Sequence, residues 1–147
     1  MKSLHRIVAF LLGCSLCAAA GAANFTSAGA VAAKFGVHEI TLTGDGGVAN
    51  PFDTTATVTF TPPSGAGNAK TVSAFFDGDN IWRARVYVGE PGEWKWSSHC
   101  VTDSALAGRS GAFKATDSTL PGRLLPHPKN SRHWMTENGS WFLNLSD

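Results

Sequence analysis

Thr55-Ala56-Thr57-Val58-Thr59-Phe60-Thr61 places threonine at every odd position and Ala, Val and Phe at the even ones. Successive side chains of an extended strand point to opposite faces, so this stretch reads as a strand with one packed and one solvated side. The same two-residue period extends outward in both directions. Before it lies Phe35 to Thr43, separated by Gly44-Asp45-Gly46-Gly47 and Asn50-Pro51-Phe52-Asp53. After it come Thr71–Phe76, Ile81–Val88, Trp94–Val101 and Ala112–Ala115. Turn-forming stretches divide these runs: Pro62–Asn68, Asp77-Gly78-Asp79-Asn80, Glu90-Pro91-Gly92-Glu93 and the Gly-rich Leu106–Gly111. Within Ile81–Val88 one face carries Trp82, Ala84, Val86 and Val88, and the other carries Ile81, Arg83, Arg85 and Tyr87. Trp94, Trp96, Ser98 and Cys100 likewise share a face.

Six or seven short strands over roughly eighty residues define the expected fold, an all-β, Ig-like or fibronectin-like β-sandwich over residues 34–116. Composition agrees. The chain has 147 residues, 43% hydrophobic and 16% charged, which is too apolar for a disordered segment. Its sixteen glycines and seven prolines favour turns over helices. A formal charge of +1 lacks the basic footprint of a nucleic-acid partner.

The N-terminus reads differently. Lys2, His5 and Arg6 precede the apolar run Ile7–Gly13, which continues to Ala20 with Ser15 as its polar interruption. Small residues follow through Ala23. Basic, apolar and small segments in that order make a cleaved secretory signal peptide, here residues 1–22, and the run is too short to span a membrane. The expected location is therefore outside the cytoplasm: periplasm, cell surface or medium. A second reading keeps Leu11-Leu12-Gly13-Cys14 as a lipobox, with Cys14 lipidated and anchored in a membrane. Cleavage removes Lys2 and Arg6, taking the formal charge from +1 to −1, and leaves Cys100 as the one cysteine. An intramolecular disulfide is then excluded, and the spacing of Cys100 with Trp94 and Trp96 reads as an inert buried thiol. Asn24–Ala33 is rich in Ala, Gly, Ser and Thr and reads as a leader with little structure.

Past Thr116 the pattern breaks. Residues 117–130, with Pro121, Gly122, Pro126 and Pro128, read as a linker. Arg132–Met135 and Ser140–Leu145 then flank a turn containing Asn138-Gly139, a hairpin signal. A hairpin this apolar at the end of an exported domain is an aggregation hazard. Residues 131–147 therefore read as the start of a further domain.

The order and spacing of several pieces resemble a known family. They are Val37-His38-Glu39-Ile40, Asn50-Pro51-Phe52-Asp53, Phe60-Thr61-Pro62-Pro63, Phe75-Phe76-Asp77-Gly78-Asp79, Trp82-Arg83-Ala84-Arg85, Glu90-Pro91-Gly92-Glu93-Trp94 and Gly108–Phe113. Together they resemble the bacterial domain of unknown function DUF5060, which precedes apiosidase-like glycoside-hydrolase (β/α)8 barrels. The tail Trp141–Asp147 is similar to the first strand of such a barrel, with Ser146 where glycine is usual. The resemblance implies a non-catalytic accessory module of an exported hydrolase acting on plant polysaccharide. Its partner would be its own catalytic barrel, whose acids lie on later strands. Alternatives are a carbohydrate-binding module and a surface Ig-like adhesion domain unrelated to sugars.

No catalytic residue and no cofactor is expected. Glycoside hydrolysis needs two carboxyls flanking the bond, and the tail offers only Glu137 and Asp147. His38, His99, His127 and His133 lack metal-ligand spacing. The Asp45 loop and Asp77–Asn80 lack the full calcium-loop pattern and read as turns. The residues with contact chemistry are Arg83, Arg85, Tyr87, Trp94 and Trp96. An indole stacks on a sugar ring, or fills the interior; Trp82 belongs to the interior. A guanidinium grips a carboxylate or uronic acid, or pairs with Glu39, Asp77 or Glu93, or covers the adjoining barrel.

Overall fold

A computed structural model describes residues 31–142; the signal peptide, the Cys14 lipobox and the end of the tail lie outside them. Eleven strands are described: β1 (Val31–Ala33), β2 (Val37–Thr43), β3 (Ala56–Thr61), β4 (Lys70–Ser73), β5 (Phe75–Phe76), β6 (Ile81–Tyr87), β7 (Gly92–Cys100), β8 (Ser110–Thr116), β9 (Leu124–His127), β10 (Asn130–Thr136) and β11 (Trp141–Phe142). β1-β8-β7-β3-β4 form one sheet, β2-β6-β5 a second and β11-β10-β9 a third. All pairs are antiparallel except β1 with β8.

The first two sheets face one another as the expected sandwich, and the alternation explains why. Ala56, Val58 and Phe60 of β3 are buried with Trp82, Ala84 and Val86 of β6, while the intervening threonines and arginines stay outside. Phe60, Ile40, Leu42 and Leu106 are fully enclosed, each stabilising the fold by about 1.5–3 kcal/mol. At one end a ring column joins the sheets. His38 of β2 stacks on Phe113 of β8 at 3.8 Å, and Phe113 on its cross-strand neighbour Trp94 at 5.8 Å. At the other end Phe76 meets Trp82 edge-on at 5.6 Å.

Turns follow their residue chemistry. Asn50 caps the 3-10 turn Pro51–Asp53 by accepting from the Phe52 N–H at 3.2 Å. In the hairpin before β6, Gly78 takes φ +87°, followed by Asp79 and Asn80 in the left-handed region that Asp and Asn tolerate best after glycine. Gly111 answers a different need. It sits opposite Trp96, and a Cβ there would lie 2.9 Å from three atoms of that indole. Buried Asp103 ties the β7–β8 loop together through the N–H groups of Ala105 and Leu106, and reaches Asp45 of the β2–β3 loop.

Three details differ from the sequence reading. Val31–Ala33, read as leader, pairs with β8. Thr71–Phe76, read as one strand, is two strands in different sheets, broken at Ala74, whose N–H bonds to Ala56 O at 2.8 Å. The linker carries β9, an edge strand with Pro126 beside a register shift, which is where proline is tolerated.

Candidate functional site

The outer face of β6 is where the sequence places its charged candidates, and the structure gathers them into a chain of ion pairs. Arg83 Nε donates to Asp77 Oδ2 at 2.5 Å and its Nη1 to Glu39 Oε1 at 2.6 Å. Arg85 Nε donates to the other Glu39 oxygen at 2.7 Å and lies over the Phe75 ring at 4.9 Å. The register makes this inevitable: Glu39 faces Arg85 directly across β2 and β6, one step from Arg83. Glu93, the third partner considered, pairs instead with Lys95 at 3.7 Å. The hydrogen bonds from Arg83 and then Arg85 hold Glu39 below the usual carboxylate range.

Tyr87, the last outward residue of β6, reaches beyond the sandwich. Its hydroxyl donates to Glu137 Oε2, in the turn between β10 and β11. Arg123 clamps the same carboxylate through its backbone N–H at 3.0 Å and Nη2 at 2.6 Å, and its guanidinium covers the Tyr87 ring at 4.8 Å. Glu137 is pushed down to about 2, chiefly by the Arg123 side chain, while burial and the Glu137 contact raise Tyr87. Sequence reasoning found Tyr87 but not Arg123, which lies in a Pro/Gly stretch with no periodicity to give it a direction.

Trp94 and Trp96 are placed differently from the surface-contact reading. Each is 4% exposed. Trp94 donates its indole N–H to Glu90 O at 3.0 Å, and Trp96 is covered by Gly111. Burial is what the apolar face of β7 requires, and it leaves neither indole a face for a sugar ring. Trp82 is also 4% exposed, in the interior as expected, and Cys100 is buried.

Arg85, Tyr87 and the edge of Trp94 line a groove of about 560 Å3, together with Lys70, Glu90 and Arg123. Glu90 is already engaged, accepting from both the backbone N–H and the hydroxyl of Ser64, and these bonds lower its pKa. Glu39, Glu90 and Glu137 are thus all held as carboxylates. A glycosidase general acid needs the opposite, a carboxyl kept protonated. The chemistry this face offers is charge pairing and contact.

Two facing sheets, antiparallel except for the β1–β8 pair, with an ion-paired outer surface define the class, an all-β sandwich domain. Residues 31–101 match the family described as Domain of unknown function (DUF5060). The match stops before β8, the strand that joins β1 to the rest of its sheet. The fold is similar to part of a crystal structure from Bacteroides vulgatus described as a "putative glycoside hydrolase", with a TM-score of 0.65 at 24% identity. That similarity covers 76% of this chain and 21% of the other, so the matched part spans about a fifth of that structure's length. At this identity the likeness shows the fold. No curated protein matches the chain.

Proposed function

We propose that the chain is the N-terminal, non-catalytic accessory module of an exported bacterial glycoside hydrolase acting on plant polysaccharide. In this reading the β6 face holds the segment that leads into the catalytic barrel. The observation that carries it is the Tyr87–Glu137–Arg123 contact: a residue of the sandwich and one of the following hairpin share a carboxylate that is 13% exposed. A module that only tethered its enzyme through a flexible linker would need no such clamp. The ionised state of the surface carboxylates also supports a structural role, with catalysis assigned to barrel strands beyond this chain. The solved structure of similar fold adds support, being a much longer chain, of which the likeness covers 21%, and described as a putative glycoside hydrolase.

The experiment is an immunoblot of source cells with an antibody raised to the sandwich. The expected result is a band several times larger than 15.5 kDa in the exported fraction. A native band at or below that mass, or one confined to the cytoplasm, overturns the proposal.

A further inference from the structure

The groove described above exists because the two sheets part on one side. β4 pairs only with β3, and β5 pairs with β6 only at Phe75↔Arg83 and Phe76↔Trp82. Among the described residues no strand covers the β6 edge from there to Tyr87, and the space left over, about 560 Å3, falls within the rough 300–1,000 Å3 range of small-molecule sites. Its cations are unequally paired. Three cations line it, Lys70, Arg85 and Arg123, of which Arg123 is held by Glu137 and Arg85 in part by Glu39, and the one lining carboxylate, Glu90, has its Oε1 already bonded twice by Ser64. Lys70 is exposed and makes no ion pair among the described residues. Arg85 commits only Nε to Glu39, and its side chain remains 58% exposed.

Aromatic stacking does not account for the groove. The Tyr87 ring is covered by Arg123, and Trp94 is buried. A neutral sugar would find no open ring face here, whereas an anion would find two cations, Lys70 and Arg85, beside the Asn68 amide, whose Nδ2 donates to the Ser64 hydroxyl at 3.0 Å. A guanidinium with free terminal nitrogens suits a planar carboxylate in particular.

We propose that this groove binds a carboxylate-bearing saccharide, a uronic-acid unit of an acidic polymer. Lys70 and Arg85 take the carboxylate, and the Asn68 carbonyl oxygen accepts from a hydroxyl. The word saccharide rests on the glycoside-hydrolase reading above; the selection for negative charge rests on the groove.

The test is affinity electrophoresis of the full chain in native gels containing polygalacturonate, neutral galactan or polyglutamate. Lys70→Ser is compared with Lys129→Ser, which removes the same charge from the exposed β9–β10 turn. The expected result is retardation by polygalacturonate alone. Lys70→Ser should weaken it about fivefold or more, and Lys129→Ser less than about twofold. No retardation, equal retardation in galactan, or equal loss from both variants overturns the proposal. Equal retardation by polyglutamate with the same Lys70 dependence removes the saccharide and counts against the hydrolase reading too. Failure with polygalacturonate beside a large native protein removes the groove alone.

Discussion

The sandwich and the sheet that follows it are built from similar strands but dispose of their aromatic side chains in opposite ways. In the sandwich, Trp82, Trp94, Trp96, Phe60 and Phe113 are all enclosed between two layers. In β9–β11, Trp134, Trp141 and Phe142 are exposed, Trp141 at 68%, and Thr136 is the one buried side chain among the described residues. Both regions are held by backbone ladders. A ladder forms wherever two extended segments meet, but an apolar face is hidden only by a second layer, which the third sheet lacks among the described residues. Its tie to the sandwich is polar, through Glu137. Apolar burial fixes the first region and charge pairing anchors the second.

Truncating the core should show this most strongly. Trp82→Ala is expected to cost about 3–5 kcal/mol in chemical denaturation; a cost below 1 kcal/mol would mean that Trp82 is not part of the core that fixes the sandwich. Gly111→Ala comes next, at about 1–3 kcal/mol, because the added carbon meets the buried Trp96 ring rather than a side chain free to swing away. Full retention of stability would show that Trp96 has room to move.

Acid should separate the two regions. Burial lowers the pKa of His38 below 6.5, so its contribution is complete above that pH and is lost as pH falls from there through the lower folded value. Glu137, at about 2 against an ordinary 4.5, contributes fully above 4.5 and loses its effect as pH drops through about 2. Hydrogen exchange should therefore show sandwich amides weakening first and residues 124–142 keeping their tie to lower pH. Tyr87→Phe, which removes one hydrogen bond worth about 1 kcal/mol, should loosen only the latter. Simultaneous loss of protection in both regions would sink the distinction. Trp141→Ser is expected to change global stability by less than about 0.5 kcal/mol. A cost above 1 kcal/mol would mean the two regions unfold as one.

Much of this contrast could be read along the chain, and the exceptions share a cause. Alternation placed Ala56, Val58, Phe60, Trp82, Ala84 and Val86 on the inner face and Arg83 and Arg85 on the outer one. It fixes which face a side chain takes, not which sheet its strand joins. Val72, Ala74 and Phe76 keep the same inward rhythm while the chain crosses from one sheet to the other, so the break at Ala74 left no trace in the pattern. Val31–Ala33 is a strand only because β8 lies beside it, and Pro126 argued against β9 until an edge position made it acceptable. At the site, the Arg83–Glu39–Arg85 ladder follows from strand faces. Arg123 and Lys70 do not, because their roles depend on a turn returning to Tyr87 and on a gap between sheets.

The parallel pairing of β1 with β8 sets an order of assembly. Val31 lies opposite Lys114, with nearly the whole sandwich sequence between them. Such distant pairs close late. A chain made N-terminus first carries β1 unpaired until residues 114–116 have appeared, so its largest sheet cannot be completed before then. The strand that opens the sandwich is the last of its sheet to be secured, and until then the β8 edge stays open.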